Sequence, residues 1–244
     1  MEKLNNTWVF GDVHGSYKGL NQVFDKAQLV KGDTIISLGD IVDGWSESAE
    51  CVQLLLDMQK DYNMIFIRGN HDEWCFDWMR FGSAHNIWIN QGGKATFDSY
   101  DINFHLRDTH CFEFFNKQVN YYIDDQNRGF VHGGYISNKG LGHEATQAEY
   151  YWNRDLMYTA MSGARSYASG SAELPKQLRA HKEIFIGHTS TLQWGTISPI
   201  NACNLWNLDT GAGWGGVLTL MNVDTKDFVQ SDFSKDLYPT ENGR

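Results

Sequence analysis

The chain has 244 residues, of which 41% are hydrophobic and 20% are charged, and its formal net charge is −10. This length and hydrophobic content allow a sizeable core, so the composition excludes extensive disorder and favours a single domain over residues 1–244. The acidic balance, without any cluster of Lys and Arg, excludes an extended nucleic-acid surface.

The cysteines and the apolar runs indicate the cellular compartment. The four cysteines show no Cys-x-x-Cys spacing, which favours reduced and packed thiols. No apolar run approaches the roughly 20 residues of a membrane-spanning helix. The stretch 1–6 is short and polar. We therefore expect a cytoplasmic protein without a membrane partner.

The first third of the chain alternates short apolar strands with amphipathic helices. Strands are predicted at 7–10, 34–38 and 64–67, and helices at 16–29 and 46–60. This alternation is typical of an α/β protein with a mostly parallel sheet. In such sheets, ligands collect beyond the carboxyl ends of the strands.

The rest of the chain mixes helices with further strands. Residues 73–122 are aromatic and partly helical in pattern, which predicts a helical cap over the sheet. The later predictions are a strand ending at 131, a helix at 144–161, a mobile loop at 162–171, strands at 183–186, 205–208 and 216–223, a tight turn at 209–213, and a frayed tail at 233–244.

Metal-capable side chains follow five of the predicted strands. They are Asp12, His14, Asp40, Asn70, His71, His132 and His188. A mixture of oxygen and imidazole ligands suits two borderline divalent ions such as manganese, iron or zinc, rather than calcium. Two neighbouring ions need a carboxylate that bridges them, and Asp40 lies centrally in the set of strand ends.

These side chains lie in five ordered sequence blocks. The blocks are Gly11-Asp12-Val13-His14-Gly15, Gly39-Asp40-Ile41-Val42-Asp43, Gly69-Asn70-His71, His132-Gly133-Gly134 and Gly187-His188-Thr189. In this order the chain resembles the calcineurin-like metallophosphoesterases, specifically the bacterial and phage (lambda-phosphatase-like) branch of the phosphoprotein phosphatase family. The resemblance implies a β-sandwich flanked by helices.

The resemblance also implies a role for each ligand. Asp12 and His14 would hold the first ion, Asp40 would bridge, and the second ion would be held by Asn70, His132 and His188. Two divalent ions are expected, with Mn²⁺ favoured over Fe or Zn, and a hydroxide between them would be the nucleophile.

Three further residues are implied to act on the substrate. His71 is similar to the family's general acid, and Asp43 would orient its ring. Arg154 is similar to an arginine that grips phosphate.

The chain departs from the family pattern near the second block. Gly44 and Trp45 stand where such phosphatases have Arg-Gly, so one phosphate-binding arginine is absent. Gly44, Trp45 and Arg68 are therefore candidate substrate-binding residues, with Arg68 or Arg154 compensating for the loss. Asp72 also replaces a glutamate, which is predicted to alter a contact around the metal ligands.

The leading functional prediction is hydrolysis of phosphomonoesters, with phosphoserine, phosphothreonine or phosphotyrosine of a protein as substrate. A nucleotide phosphoesterase is the alternative, either a dinucleoside tetraphosphate hydrolase or a 2′,3′-cyclic phosphodiesterase. The least favoured alternative is a phosphatase-like binding module without catalysis.

Overall fold

Two β-sheets form the centre of the molecule in the computed structural model, which describes residues 5–244. Along the chain the strands are β1 (Thr7–Phe10), β2 (Thr34–Ser37), β3 (Asn63–Phe66), β4 (Tyr121–Ile123), β5 (Arg128–Val131), β6 (Glu183–Ile186), β7 (Ile200–Ala202), β8 (Leu205–Asn207), β9 (Thr219–Asn222) and β10 (Phe228–Gln230). They form two sheets, in the orders β10-β9-β1-β2-β3 and β4-β5-β6-β8-β7.

Parallel strands occupy the middle of each sheet. In the first sheet, β2 pairs in parallel with β1 and with β3, and β9 and β10 continue the sheet antiparallel. In the second sheet, β6 pairs in parallel with β5 and with β8. The carboxyl ends of parallel neighbours lie at one edge of a sheet, so the loops that leave them meet there.

The two sheets pack face to face through apolar side chains. Val9, Ile36 and Met221 of the first sheet lie in one buried cluster with Phe130 and Phe185 of the second. The two phenylalanine rings stack with their centroids 4.9 Å apart. Full burial of each such side chain stabilises the fold by about 1.5–3 kcal/mol. The predicted α/β sandwich is thus confirmed.

Helices cover the outer faces of both sheets. They are α1 (Tyr17–Lys26), α2 (Ser48–Met58), α3 (Asn70–Phe81), α4 (Asn86–Trp88), α5 (Lys94–Ile102), α6 (Arg107–Glu113), α7 (Ala148–Trp152), α8 (Asp155–Ala168) and α9 (Ser234–Leu237). Leu20 of α1 and Val52 of α2 pack with Phe10 against the first sheet, and Leu156 of α8 packs with Ile184 against the second.

The segment between β3 and β4 is helical, as predicted. Its aromatic residues Trp78, Trp88 and Tyr100 are buried in the core cluster of the first sheet. A tight turn at Gly92, whose carbonyl accepts a hydrogen bond from Gly44 N, holds the segment against the loop after β2. This contact places Trp88 beside the loop that follows β2.

Two predictions for residues 144–171 were wrong. The predicted single helix is broken into α7 and α8 at Asn153 and Arg154, because Asn153 Oδ1 accepts a hydrogen bond from Leu156 N at the start of α8. The residues predicted as a mobile loop from 162 onward continue α8 to Ala168. The buried side chains of Met157 and Ala160 anchor this helix on the second sheet, and that packing outweighs the weak local signal.

The tail prediction was also wrong, because the 233–244 segment is docked on the body of the protein. Tyr238 stacks on Trp45 with ring centroids 5.1 Å apart, and its hydroxyl donates a hydrogen bond to Glu47. Glu241 accepts hydrogen bonds from the backbone N and Oγ of Ser46, at 2.9 and 2.8 Å. These contacts fix the segment beside the loop that follows β2.

The sequence predicted no membrane-spanning helix. Between residues 5 and 244, no helix combines the length and the apolar character needed to cross a bilayer.

Candidate metal centre

Three of the predicted ligands meet beyond the ends of β1 and β2. Asp12 and His14 follow β1, and Asp40 follows β2. His14 Nε2 lies 3.9 Å from Asp12 Oδ2 and 3.7 Å from Asp40 Oδ2. All three side chains are buried, and one ion could contact an atom of each.

A second group shares Asp40 with the first. His132 follows β5, and its Nε2 lies 3.3 Å from Asp40 Oδ2 and 3.2 Å from Asn70 Oδ1. His188, which follows β6, completes a three-residue cluster with Asp40 and His132. The structure therefore brings together all six predicted ligands around two adjoining positions, with Asp40 common to both.

The histidine rings are oriented by backbone carbonyls. His14 Nδ1 lies 3.1 Å from Val42 O, and His132 Nδ1 lies 2.8 Å from Leu38 O. A carbonyl can only accept, so each Nδ1 carries a proton, and in the neutral ring Nε2 is then the atom with a lone pair for a metal. This is the usual arrangement of a histidine that ligates a metal.

The backbone of the site is strained, and glycines let its strands approach. His14, Asp40 and His188 all have positive φ angles, of 52°, 51° and 65°. Such conformations cost side-chain-bearing residues of the order of 1–3 kcal/mol each, and they persist where the surroundings enforce them. A Cβ on Gly187 would lie 2.2 Å from Asp12 Oδ1, so only glycine leaves room for that carboxylate.

Several buried polar atoms lack partners within residues 5–244. They include Asp40 Oδ2 and His188 Nε2, which have no hydrogen-bond partner there and belong to the ligand group of Asp40, His132 and His188. Burial, together with the neighbouring carboxylate of Asp209, raises the pKa of Asp12 well above its usual range. A cation would satisfy these atoms and offset the repulsion between the carboxylates. The donor set thus fits two divalent ions.

His71 and Asp43 form a buried pair beside this centre. His71 Nδ1 lies 2.7 Å from Asp43 Oδ2, while His71 Nε2 has no hydrogen-bond partner among the described residues. Burial lowers the pKa of His71 to about 3 and raises the pKa of Asp43 to about 8. Burial therefore favours the uncharged form of each partner until another charge enters the site.

The helical segment holds Asp43 in place. Trp88 Nε1 donates a hydrogen bond to Asp43 Oδ2 at 2.6 Å, and Thr96 Oγ1 donates one to Asp43 Oδ1 at 2.7 Å. These donors reduce the cost of burying the carboxylate and fix the face that it presents to His71. The residues that orient the pair thus come from the predicted cap.

Asp72 holds the loop of the shared ligand. Its carboxylate accepts hydrogen bonds from the backbone N atoms of Asp40 and Ile41, both at 2.9 Å, and from Gly69 N at 3.0 Å. The shorter carboxylate at this position therefore ties the loop after β2 to the start of α3.

Arg154 lies at the rim of the second ligand group. Its Nη1 donates hydrogen bonds to His188 O at 2.7 Å and to Thr189 Oγ1 at 3.4 Å. The guanidinium lines a cavity of about 460 Å³ that also contains His188 and Trp214. The structure thus places this arginine beside the second ligand group, and its phosphate-binding role stays a prediction.

The other substrate-binding candidates lie elsewhere. Arg68 is bound to Glu73 at 2.6 Å and to the carbonyl of Phe115, so its guanidinium already has partners. Trp45 is buried, and its Nε1 donates a hydrogen bond to Ala212 O at 2.9 Å. It therefore supports the docked 233–244 segment and does not face the substrate cavity.

Gly44 has a φ of 117° and abuts the backbone of His14 and Arg244.

Two residues near the site escaped the sequence reasoning. Asp209 is buried close enough to raise the pKa of Asp12, and it belongs to the glycine-rich turn at 209–213. Arg244 Nη1 lies 3.2 Å from His14 Nε2. A carboxylate just after a strand was an available signal for Asp209, whereas no local pattern marks Arg244.

The close contact at Gly187 yields a prediction. We expect Gly187→Ala to weaken metal binding by about 10-fold to 100-fold, because the added methyl group would displace the Asp12 carboxylate. Calorimetric titration of the metal-free protein with Mn²⁺ measures this change. Gly170→Ala is the control for backbone strain alone, since its φ is 69° and its added Cβ would meet nothing within 4 Å. Equal Mn²⁺ affinity in Gly187→Ala and wild type would contradict the prediction.

Comparison with known proteins gives a consistent picture. The family model described as calcineurin-like phosphoesterase matches residues 6–196. Serine/threonine-protein phosphatase 2 of Escherichia coli K12 is 27% identical over 176 residues, which cover 67% of this chain and 75% of that protein.

A nucleotide hydrolase aligns over more of the chain. The symmetrical bis(5′-nucleosyl)-tetraphosphatase of Neisseria gonorrhoeae is 23% identical over 270 aligned positions, covering 91% of this chain and 94% of that protein. Among solved structures, a metallophosphoesterase from Sphaerobacter thermophilus superimposes with a TM-score of 0.56 at 20% identity, over 93% of this chain and 89% of the other. That likeness supports the fold.

Proposed function

Because this chain belongs to the calcineurin-like phosphoesterase family, a family of metal-dependent hydrolases, we propose that it hydrolyses phosphomonoesters, with phosphoserine and phosphothreonine of proteins as preferred substrates and phosphotyrosine as a further one. One observation carries the proposal: two ligand groups share Asp40, and the Arg154 guanidinium lies beside them in an open cavity. A phosphoryl dianion would find cationic partners on both sides there.

The ligand atoms suggest which ions are held. Asp12, His14 and Asp40 would hold one divalent ion, and the other would be held by Asp40, Asn70, His132 and His188. Mixed carboxylate and imidazole donors support Mn²⁺, with Fe and Zn as alternatives. When bound, the ions would activate water as the nucleophile and polarise the phosphoryl oxygens.

The chain's own residues would carry the remaining steps. His71 Nε2 has no hydrogen-bond partner within residues 5–244 and would give its proton to the leaving alkoxide, while Asp43 holds the ring through Nδ1. Arg154 would orient the phosphoryl group through two N–H donors, since its contact with His188 O occupies only Nη1 of the guanidinium.

A second candidate is hydrolysis of a dinucleoside tetraphosphate, and specific observations favour it. Trp214 is 53% exposed and lines the cavity next to Arg154. Trp152 is 42% exposed and packs edge-on against His188 at 6.1 Å. An exposed indole beside a phosphate site can stack a base, which contributes about 1–3 kcal/mol.

A substrate panel separates the two candidates. We expect the Mn²⁺-loaded protein to show a higher kcat/KM on phosphoserine peptides than on diadenosine tetraphosphate, 2′,3′-cyclic AMP or bis-p-nitrophenyl phosphate, because the terminal oxygens of a monoester suit a cationic rim. A preference for the dinucleotide would overturn the protein-phosphatase reading. In that case Trp214→Leu should lower turnover of the dinucleotide much more than p-nitrophenyl phosphate hydrolysis.

The substrate partners and the compartment follow from this proposal. A phosphorylated protein or a small phosphoester would be the only partner that the site requires. The cytoplasmic location stays a prediction from the sequence.

A further inference from the structure

Arg244 brings a second guanidinium to the cavity that Arg154 lines. The cavity of about 460 Å³ is bounded by Arg154, His188, Ser190, Leu192, Gln193, Trp214 and Arg244. Among the residues described, its wall contains two arginines and no Asp or Glu side chain, in a chain whose formal net charge is −10. A concentration of positive charge on one wall is the electrostatic signature of an anion site.

Neither arginine is neutralised by the described part of the protein. Within residues 5–244, no carboxylate oxygen lies within 4.0 Å of either guanidinium, although Arg68, Arg128 and Arg179 all have such partners. Arg244 Nε is buried and has no hydrogen-bond partner there either. These N–H donors are therefore available to an anionic ligand.

The backbone around Arg244 is held firmly while its side chain remains long and adaptable. Arg244 N donates a hydrogen bond to Gly213 O at 2.9 Å, and the guanidinium lies 5.1 Å from the ring centroid of Trp214. The docking of Tyr238 on Trp45 and of Glu241 on Ser46 fixes the preceding residues. The 233–244 segment thus acts as an arm that delivers one side chain to the site.

Gly44 makes room for this arm. A Cβ at position 44 would lie 3.2 Å from His14 O and 3.6 Å from Arg244 N. A long side chain at this position would compete with the arm for the same space. Position 44 therefore has no arginine in the same structure in which Arg244 occupies the neighbouring space.

We propose that Arg244 is a substrate-binding residue that grips the phosphoryl group together with Arg154, which lines the same cavity; this rests on the proposed phosphoesterase function. In the structure its Nη1 faces the lone pair of His14 Nε2 at 3.2 Å. A cation on His14 would remove this acceptor and repel the guanidinium, which leaves its donors to an anion in the cavity. Arg244, 200 positions after Gly44 in the sequence, then supplies the missing positive charge.

The test uses the Mn²⁺-loaded full chain and inorganic phosphate as the probe. We expect Arg244→Gln to raise the Kd for phosphate by about 10-fold to 100-fold, because hydrogen bonds to a charged group are lost. Calorimetry measures the Kd. KM for p-nitrophenyl phosphate should rise with it, and KM for bis-p-nitrophenyl phosphate should rise less because a diester offers fewer terminal oxygens.

Lys235→Gln is the matched control, since it removes an exposed positive charge from the same segment. Its Kd for phosphate should stay within twofold of wild type. If Arg244→Gln lowers the melting temperature, Arg244→Met, which keeps an apolar stem against Trp214, replaces it under the same criterion. A phosphate Kd within twofold of wild type in a folded Arg244 variant would overturn the proposal.

The test also separates this inference from the proposed function. If wild type hydrolyses phosphoserine peptides and the Arg244 variants bind phosphate normally, only the Arg244 proposal fails. If wild type hydrolyses no ester with any divalent ion, the proposed function fails, while the phosphate affinities still decide the role of Arg244.

Discussion

Replacing Asp40 with Asn is expected to lower kcat/KM for phosphomonoesters by at least about 100-fold, since losing even a neighbour of a metal ligand commonly costs 10–100-fold. Asp40 Oδ2 lies 3.7 Å from His14 Nε2 and 3.3 Å from His132 Nε2, so the substitution removes one negative charge from both ligand groups. Elemental analysis of the purified variant should find fewer than two ions per chain.

The fold should survive this substitution. Asp40 Oδ1 accepts a hydrogen bond from His71 N at 2.9 Å, and an amide oxygen can accept the same bond. Asp33→Asn is the matched control, because Asp33 is also buried but lies at the amino end of β2, where it accepts hydrogen bonds from Asn6 N and Trp8 Nε1. It should reduce stability by about 1–3 kcal/mol and leave metal content unchanged. Two bound ions and wild-type turnover in Asp40→Asn would refute a shared ligand.

The second large effect is expected at His71. His71→Asn should reduce kcat on a phosphoserine peptide by about 100-fold to 10,000-fold, the usual range for loss of a general acid. The loss on p-nitrophenyl phosphate should be much smaller, because p-nitrophenolate leaves without a proton. Metal content should stay at the wild-type value, since His71 belongs to neither ligand group.

Two further variants sharpen this result. Asp43→Asn should reduce kcat in the same substrate-dependent manner but less severely, because Asp43 acts by holding His71 Nδ1 at 2.7 Å. His110→Asn removes a buried histidine that pairs with Tyr100 instead, and it should affect both substrates equally or not at all. Unchanged phosphoserine turnover in His71→Asn would rule out an acid role, and equal losses on both substrates would assign His71 to positioning.

The sequence predicted the catalytic edge well because its determinants are local. Each ligand directly follows a short apolar strand, and parallel strands bring their carboxyl ends together whatever the details of packing. Asp12, Asp40 and His132 could therefore be grouped from their positions alone. That Asp40 belongs to both ligand groups follows from the central place of its strand, β2, between β1 and β3.

The errors arose where distant contacts decide the structure. Ser162 and Gly163 have weak helix propensity, yet α8 continues through them because Met157 and Ala160 are anchored on the second sheet. Trp45 was predicted to bind substrate because nothing nearby in sequence reveals Tyr238, 193 positions later, as its stacking partner. Partners so far apart in the chain leave no periodic signal.

The docked arm has a practical consequence for producing the protein. Any polypeptide fused after Arg244 would leave the molecule beside His14, and a polyhistidine tag there would bring extra imidazoles to the metal ligands. Asn5 instead lies next to Gly32, before the amino end of β1 and at the edge of the sheet opposite Asp12. Affinity handles and fluorescent fusions therefore belong before Asn5, and kinetics measured with a tag joined directly after Arg244 would report on the tag as well as on the enzyme.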